Sequence, residues 1–221
     1  MVAISDETTS TLGLLAEVMD GAVAIVSGRG VGDIDRLLQP FKFPLAAEHG
    51  TIVRDASGSI VSRAFSRECV ARITKTAHKA LNRHAGIVIE PKNGAVAIHY
   101  RACPQHASVC RAVAQHICGL VPNATCQTGK MVVEIVPKGV SKGCAIMQLL
   151  STKPFKGRLP VFAGDDLTDE SGFGVVDDCG GISIKVGLGL TRARWHLDGP
   201  EAVNAWLAGL VADVKPVRAE S

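Results

Sequence analysis

Aromatic residues are scarce in this 221-residue chain: one Tyr, two Trp and six Phe make up 4% of it. Base-stacking platforms for single-stranded nucleic acid rest on such rings, so that class of function is not expected. An excess of basic charge is also missing. The formal net charge is +3, and the Lys and Arg residues are dispersed, which argues against a dedicated nucleic-acid surface. Cysteine occurs seven times, an odd number, and never as C-x-x-C. A zinc site or a disulfide framework is therefore not expected, and reduced thiols in a cytoplasmic protein fit better. No apolar run approaches the roughly 18 residues of a membrane span. The first ten residues, MVAISDETTS, lack both a basic start and a long apolar stretch, so they do not read as a signal peptide.

What is present is enough apolar residue, 47% of the chain, for one large domain or two small ones. Leu12, Leu14, Leu15 and Val18 recur at helical spacing, which predicts a helix over Thr8 to Met19 capped by Asp6 or Thr8. Ala22 to Val26 reads as a strand suited to burial on both faces. The chain then turns at Ser27-Gly28-Arg29-Gly30 into a helix near Val31 to Gln39, giving an α/β unit. The middle third changes character. Strands are expected over Glu48 to Arg54, Ile87 to Glu90, Ala95 to Arg101 and Met131 to Val136, with helices over Ser66 to His84 and Gln105 to Cys118. Asn93-Gly94 is a strong hairpin signal between the second and third of these strands. Helices beside an antiparallel sheet point to a separate α+β lobe. From Lys142 the first style returns: helix to Leu150, strand over Leu159 to Ala163, helix over Leu167 to Val176, strand over Ile182 to Val186 and helix over Glu201 to Leu210. A polar tail from Asp213 is expected to be disordered. The second lobe thus interrupts an α/β core, with the core at 1–54 and 137–213, the inserted lobe at 55–136 and the tail at 214–221.

The densest chemistry lies in VFAGDDLTDE, Val161 to Glu170. A buried strand breaks at Gly164, and Asp165 and Asp166 follow at its carboxyl end, where open α/β sheets place ligands. Adjacent carboxylates repel unless a cation or proton intervenes. Mg²⁺, which prefers carboxylate oxygens and water, suits them; acids capping a helix are the plainer alternative. Ser27, after strand 22–26, offers a hydroxyl beside the N–H groups of Gly28 and Arg29 for a phosphate oxygen, or is an ordinary turn. Lys142 begins a helix, where cations are disfavoured, so it needs an anion nearby. Lys185-Val186-Gly187, ending the strand over Ile182 to Val186, reads as structural.

Ser, Lys and an acidic pair at successive strand ends resemble the later motifs of the haloacid-dehalogenase phosphohydrolases. AIVSGRGVGDIDRL, FPLAAEHG, AIHYRACPQH, VVEIVPKGVSKGCAI and GDDLTDESGF together resemble the bacterial trehalose-6-phosphate phosphatase family, from about Met1 to Leu210. The resemblance implies a Rossmann-like parallel-sheet core with an inserted α+β cap that closes over the sugar. It implies that Ser27 binds phosphate, that Lys142 balances charge on phosphate and nucleophile, and that Asp165, with Asp166, binds Mg²⁺. In the cap it implies that Glu90, Lys92 and Glu134 hydrogen-bond the sugar hydroxyls, with Arg101 and Lys130 further members of that set. The substrate would be trehalose 6-phosphate, a small molecule, with no nucleic-acid or membrane partner.

The family's first motif, D-x-D-G-T on the first core strand, has no counterpart within these residues. Asp33-Ile34-Asp35 has the bare spacing but falls in the helix after Ser27 and lacks the preceding strand and the Gly-Thr. The first acid of that motif is the nucleophile and the second the general acid. The 221 residues as written are therefore expected to be nearly inactive. They are also expected to leave a gap in the parallel sheet between strands 22–26 and 159–163. The alternatives are a catalytically inactive sugar-phosphate binder that kept the cap, or a phosphatase of another sugar phosphate.

Overall fold

The computed structural model describes residues 4–218. Contacts divide the chain into two compact units, one holding residues 1–61, 141–165 and 169–221 and the other 62–140 with 166–168. The divisions fall a few residues after the 54/55 and 136/137 boundaries read from the sequence.

In the first unit, helix α1 (Asp6–Val18) starts at Asp6, the earlier of the two caps read from the sequence. Its cap is Ser5, whose hydroxyl accepts the Thr8 N–H at 3.1 Å. Strand β1 (Ile25–Val26) is shorter than the five residues expected, and Ala22 to Val26 are only half-buried. Helix α2 (Val31–Leu37) follows. Strand β2 (Leu45–Ala47), fully buried, lies parallel to β1 with Leu45 opposite Ile25. Strand β3 (Ile52–Arg54) returns antiparallel to β2, and β4 (Ile60–Ser62) completes the sheet. The single strand expected over Glu48 to Arg54 is corrected here. Glu48, His49 and Gly50 take φ of 50°, 57° and 99°, a left-handed run that cannot continue a strand.

The second unit begins with α3 (Arg67–Leu81), capped by Ser66, then β5 (Val88–Pro91), β6 (Val96–His99), α4 (Ala107–Leu120), β7 (Ala124–Gly129) and β8 (Val132–Pro137). The strands form one antiparallel sheet in the order β5-β6-β8-β7. Val70, Ile73, Ala77 and Leu81 of α3 and Cys110, Ala114 and Ile117 of α4 join Val96, Ile98, Val133 and Ile135 in one buried cluster. The helices therefore cover the sheet face that carries the apolar residues of each strand.

Returning to the first unit, α5 (Lys142–Leu150) is followed by β9 (Val161–Gly164), α6 (Glu170–Asp178), β10 (Ile182–Val186), β11 (Trp195–Leu197) and α7 (Pro200–Arg218). The tail expected from Asp213 is helical through Arg218, and residues 219–221 lie outside the described residues. Strands β11-β10-β9 form a three-stranded parallel sheet. The parallel core thus comes as two sheets. Among the described strands, one ends at β1, next to β2, and the other at β9, next to β10. These are the two strands between which the sequence places a gap. Val161 at the β9 edge is 50% exposed. Among the described residues, no helix is long and apolar enough to cross a membrane.

Candidate active site

Lys142, the first residue of α5, is buried, and its Nζ donates to Asp169 Oδ1 at 2.6 Å. The anion that a lysine at a helix start requires is therefore supplied by the fourth residue after Asp165. Asp169 is itself buried, and it fits because Gly164 has no side chain: a Cβ there would overlap the Asp169 carboxyl. Gly143 allows a similar approach, since a Cβ there would overlap the Ser171 carbonyl at the start of α6. Burying two charges is costly unless they are paired and hydrogen-bonded, and this pair meets both conditions.

Lys185, opposite Gly164 in the β9–β10 ladder, is also buried, and its Nζ donates to the backbone carbonyl of Asp165. The sequence reads Lys185 as structural from its place at a strand end, and its bond to a backbone carbonyl agrees with that reading. Asp165 itself is exposed and Asp166 half-buried, with Asp166 Oδ1 accepting the Leu167 N–H at 2.7 Å. Two ammonium groups thus bracket the acidic turn, one held by a carboxylate and one by a carbonyl. Among the described residues, no group of three or more His, Cys, Asp and Glu side chains is gathered as a metal site.

Ser27 stands at the carboxyl end of β1. Its backbone N–H donates to Ala46 O at 2.8 Å, and its hydroxyl accepts the Arg29 N–H at 3.2 Å. The loop is braced by the left-handed run after β2: His49 N–H donates to Ser27 O, and Glu48 N–H to Arg29 O, both at 3.0 Å. The His49 ring occupies the space that a Cβ on Gly28 would fill. None of the hydrogen bonds just named joins Ser27 to Lys142 or Asp165, although all three belong to the first unit.

In the second unit, Glu90, Ala97, Glu134 and Gln127 lie opposite one another in a single row across β5, β6, β8 and β7. Directly paired residues share a face, so this row lies on the face opposite the α3–α4 core. Lys92 Nζ pairs with Glu134, which is buried, and His99 Nε2 lies 2.7 Å from Glu90 Oε2. The structure therefore joins Lys92 to Glu134 and sets Glu90 in line with them. Arg101, just after β6, and Lys130, in the β7–β8 turn, are exposed and make no such contact.

The trehalose-phosphatase family model matches residues 1–200. This chain belongs to that family. It is 44% identical over 207 residues to the trehalose-6-phosphate phosphatase of Escherichia coli, covering 93% of this chain and 77% of the relative. It is 34% identical to a probable trehalose-phosphate phosphatase of Sinorhizobium fredii, covering 95% and 80%. Among solved structures, the C-terminal domain of the C. albicans trehalose-6-phosphate phosphatase aligns with a TM-score of 0.78 at 22% identity, over 95% of this chain and 84% of that one. The last likeness concerns the fold, and it agrees with a haloacid-dehalogenase core.

Two pairings are not legible in the sequence, those of Asp169 and of Lys185. Asp169 was visible as the third acid of GDDLTDE, but nothing local marked it as the partner of a lysine 27 residues upstream. Lys185 ended a buried strand, and a lysine at such a position was the available signal. The bracing by Glu48 and His49 had none, because left-handed φ at non-glycine residues is not legible from composition.

Proposed function

We propose that this chain carries the phosphate-handling and sugar-binding parts of a Mg²⁺-dependent phosphomonoesterase that hydrolyses trehalose 6-phosphate to trehalose and phosphate, in the cytoplasm. The observation that carries the reading is the buried Lys142–Asp169 pair, whose carboxylate packs against Gly164, the residue before Asp165. An ammonium fixed at a strand end, with donors left over after Asp169 takes one, suits the oxygens of a phosphate ester. The seven free thiols suit a reducing compartment.

Asp165 and Asp166 are the residues that would hold the metal. They fit it in kind: Mg²⁺ commonly takes one or two carboxylates and completes its shell with water and substrate phosphate, and Asp165 is exposed enough to leave room for both. When bound, the ion polarises a phosphoryl oxygen and neutralises developing charge. The chain's own groups do the remainder. Ser27, whose oxygen already accepts the Arg29 N–H, is free to donate its hydroxyl proton to a phosphate oxygen. Lys142 offsets the charge of the phosphate, and Asp169 fixes its ammonium in place. Lys185 holds the Asp165 carbonyl and so fixes the peptide from which the acidic pair projects. Glu90, Lys92 and Glu134 supply acceptors and a donor for the sugar hydroxyls, and Arg101 and Lys130 extend that surface.

The nucleophile and general acid of the family's first motif do not occur in residues 1–221. A polypeptide of these residues alone is therefore nearly inactive, since general acid help is worth about 10²–10⁴ in rate and the covalent route is lost as well. Phosphate release from trehalose 6-phosphate should be compared between this polypeptide and one extended at its N-terminus by an apolar strand bearing D-x-D-G-T. Activity only in the longer protein is expected. Full activity in residues 1–221 would overturn the account of the missing groups. Binding without turnover in both would favour a sugar-phosphate binder, and equal turnover of sucrose 6-phosphate and mannose 6-phosphate would remove the substrate assignment.

A further inference from the structure

The seven thiols of the chain are not equivalent. Cys103 and Cys110 are sealed in the α3–α4 core, Cys69 is half-buried, and Cys144 and Cys179 are exposed. Cys118, in the last turn of α4, and Cys126, in β7, are half-buried and face each other with their sulfurs 2.8 Å apart. Both lie within the second unit and pack on the edge of its core. The segment between them, which runs from the last residues of α4 into the start of β7, is held at Val121 and Ala124 by backbone hydrogen bonds to Ile117 and Val121. A disulfide needs a sulfur separation of about 2.05 Å, so these two thiols have less than about 1 Å to close.

We infer that Cys118 and Cys126 are a thiol–disulfide exchange site, which a low-molecular-weight disulfide of the glutathione class converts to an intramolecular disulfide. The step balances as follows. The Cys118 thiolate attacks one sulfur of the small disulfide and releases one small thiolate, leaving a mixed disulfide at Cys118. Cys126 then loses its proton and attacks the Cys118 sulfur, the mixed bond breaks, and the second small thiolate leaves. Two protein thiols are oxidised and one small disulfide is reduced to two small thiols. The order follows from the surroundings. Burial, together with the hydrogen bond and charge of Cys118, pushes the Cys126 thiol up to about 12, so it is the poorer first nucleophile and the natural resolving group. In a reducing compartment such a bond is transient and responsive rather than structural. Its product fastens the end of α4 to β7, one residue from Gln127 in the polar row of the sheet.

The test uses residues 1–221 equilibrated over a series of oxidised-to-reduced glutathione ratios, then acid-quenched, alkylated and digested with trypsin. Residues 112–130 form one tryptic peptide that contains Cys118 and Cys126 and no other cysteine. The expected product is that peptide lighter by two hydrogens and free of alkyl groups. It should form at a ratio of oxidised to reduced glutathione at least about tenfold lower than in the urea-unfolded chain, a displacement of about 30 mV. Cys126→Ser should stop at a glutathione adduct on Cys118, and Cys118→Ser should leave Cys126 unmodified. No 118–126 bond at ratios where the exposed Cys144 is already modified would overturn the proposal. Equal formation in native and unfolded chains would also overturn it, because closeness in sequence rather than the fold would then be the cause. Adducts on Cys126 in the Cys118→Ser variant would overturn the assigned order. The wild-type comparison stands even if a serine variant does not fold.

Discussion

Replacing Lys142 by Met should destabilise the first unit sharply, and the structure sets the size. The two side chains of the Lys142–Asp169 pair are 7% and 3% exposed, and their charged atoms stand 2.6 Å apart. At an effective dielectric constant of about 20 the direct attraction is about 6 kcal/mol. Desolvation of the two ions opposes it at several kcal/mol each, so the intact pair is close to neutral for stability. Removing the ammonium alone is different, because the carboxylate stays buried without its counter-charge; the expected loss is about 3–5 kcal/mol. For a chain of this size that corresponds to a fall in Tm of about 6–20 °C, at roughly 2–4 °C per kcal/mol. Met keeps the length and most of the volume of the lysine stem, so cavity formation contributes little. Calorimetry of Lys142→Met, Asp169→Asn and the double variant closes the cycle. The double variant should regain at least about 2 kcal/mol relative to the sum of the singles. A Lys142→Met midpoint within about 2 °C of the parent, or strictly additive losses, would refute the reasoning.

Arg54 is buried and donates to both carboxyl oxygens of Asp35, at 2.8 and 2.6 Å, which holds the Asp35 carboxyl below its ordinary value of 3.8. A folded value below the unfolded one gives stability that is present above 3.8 and lost as pH falls from there through the folded value. Asp35→Asn should remove that part of the acid-unfolding curve, and superimposable curves would count against it. Gly50→Ala should cost about 2–4 kcal/mol in urea unfolding. Its φ of +99° disfavours a side chain, and the new Cβ would overlap the Ser141 carbonyl at the start of α5. Lys92→Ala, in the N-terminally extended enzyme, should raise KM for trehalose 6-phosphate roughly 10- to 100-fold by removing a charge-assisted hydrogen bond of about 1.5–3 kcal/mol. An unchanged KM would take Lys92 out of the sugar site.

The elements that were legible in the sequence are those whose signals are local. Helix α5 begins at Lys142 because Ser141 caps it through the Cys144 N–H at 3.0 Å, and its apolar spacing runs to Leu150. Strand β10 is Ile182–Val186 as read. Strand β7, ATCQTG, escaped because it carries almost no apolar alternation; it is held by pairing to β8 along its whole length. Helix α7 outruns its expected end: it continues to Arg218 although Pro216 has no backbone N–H and Val214 and Val217 are weak helix formers, so local propensity does not account for its length. At the site, the acids and Ser27 were visible by residue type at strand ends. The pairings of Lys142 with Asp169 and of Lys185 with the Asp165 carbonyl depend on β9, β10, α5 and α6 being brought together, and no local pattern encodes that.

That dependence also separates stability from function. A buried ion pair is weak evidence for a stabilising role, since apolar or neutral residues of similar shape often serve the fold as well. If Lys142 were there for the fold, the double variant Lys142→Met, Asp169→Asn would carry a penalty in both Tm and phosphate binding. If it is there to meet a phosphate, the double variant should melt near the parent and yet bind inorganic phosphate more weakly. Asn at position 169 suits this comparison, because the crowding against Gly164 leaves no room for a larger group. A double variant that keeps both its Tm and its phosphate affinity would remove Lys142 from the proposed phosphate site.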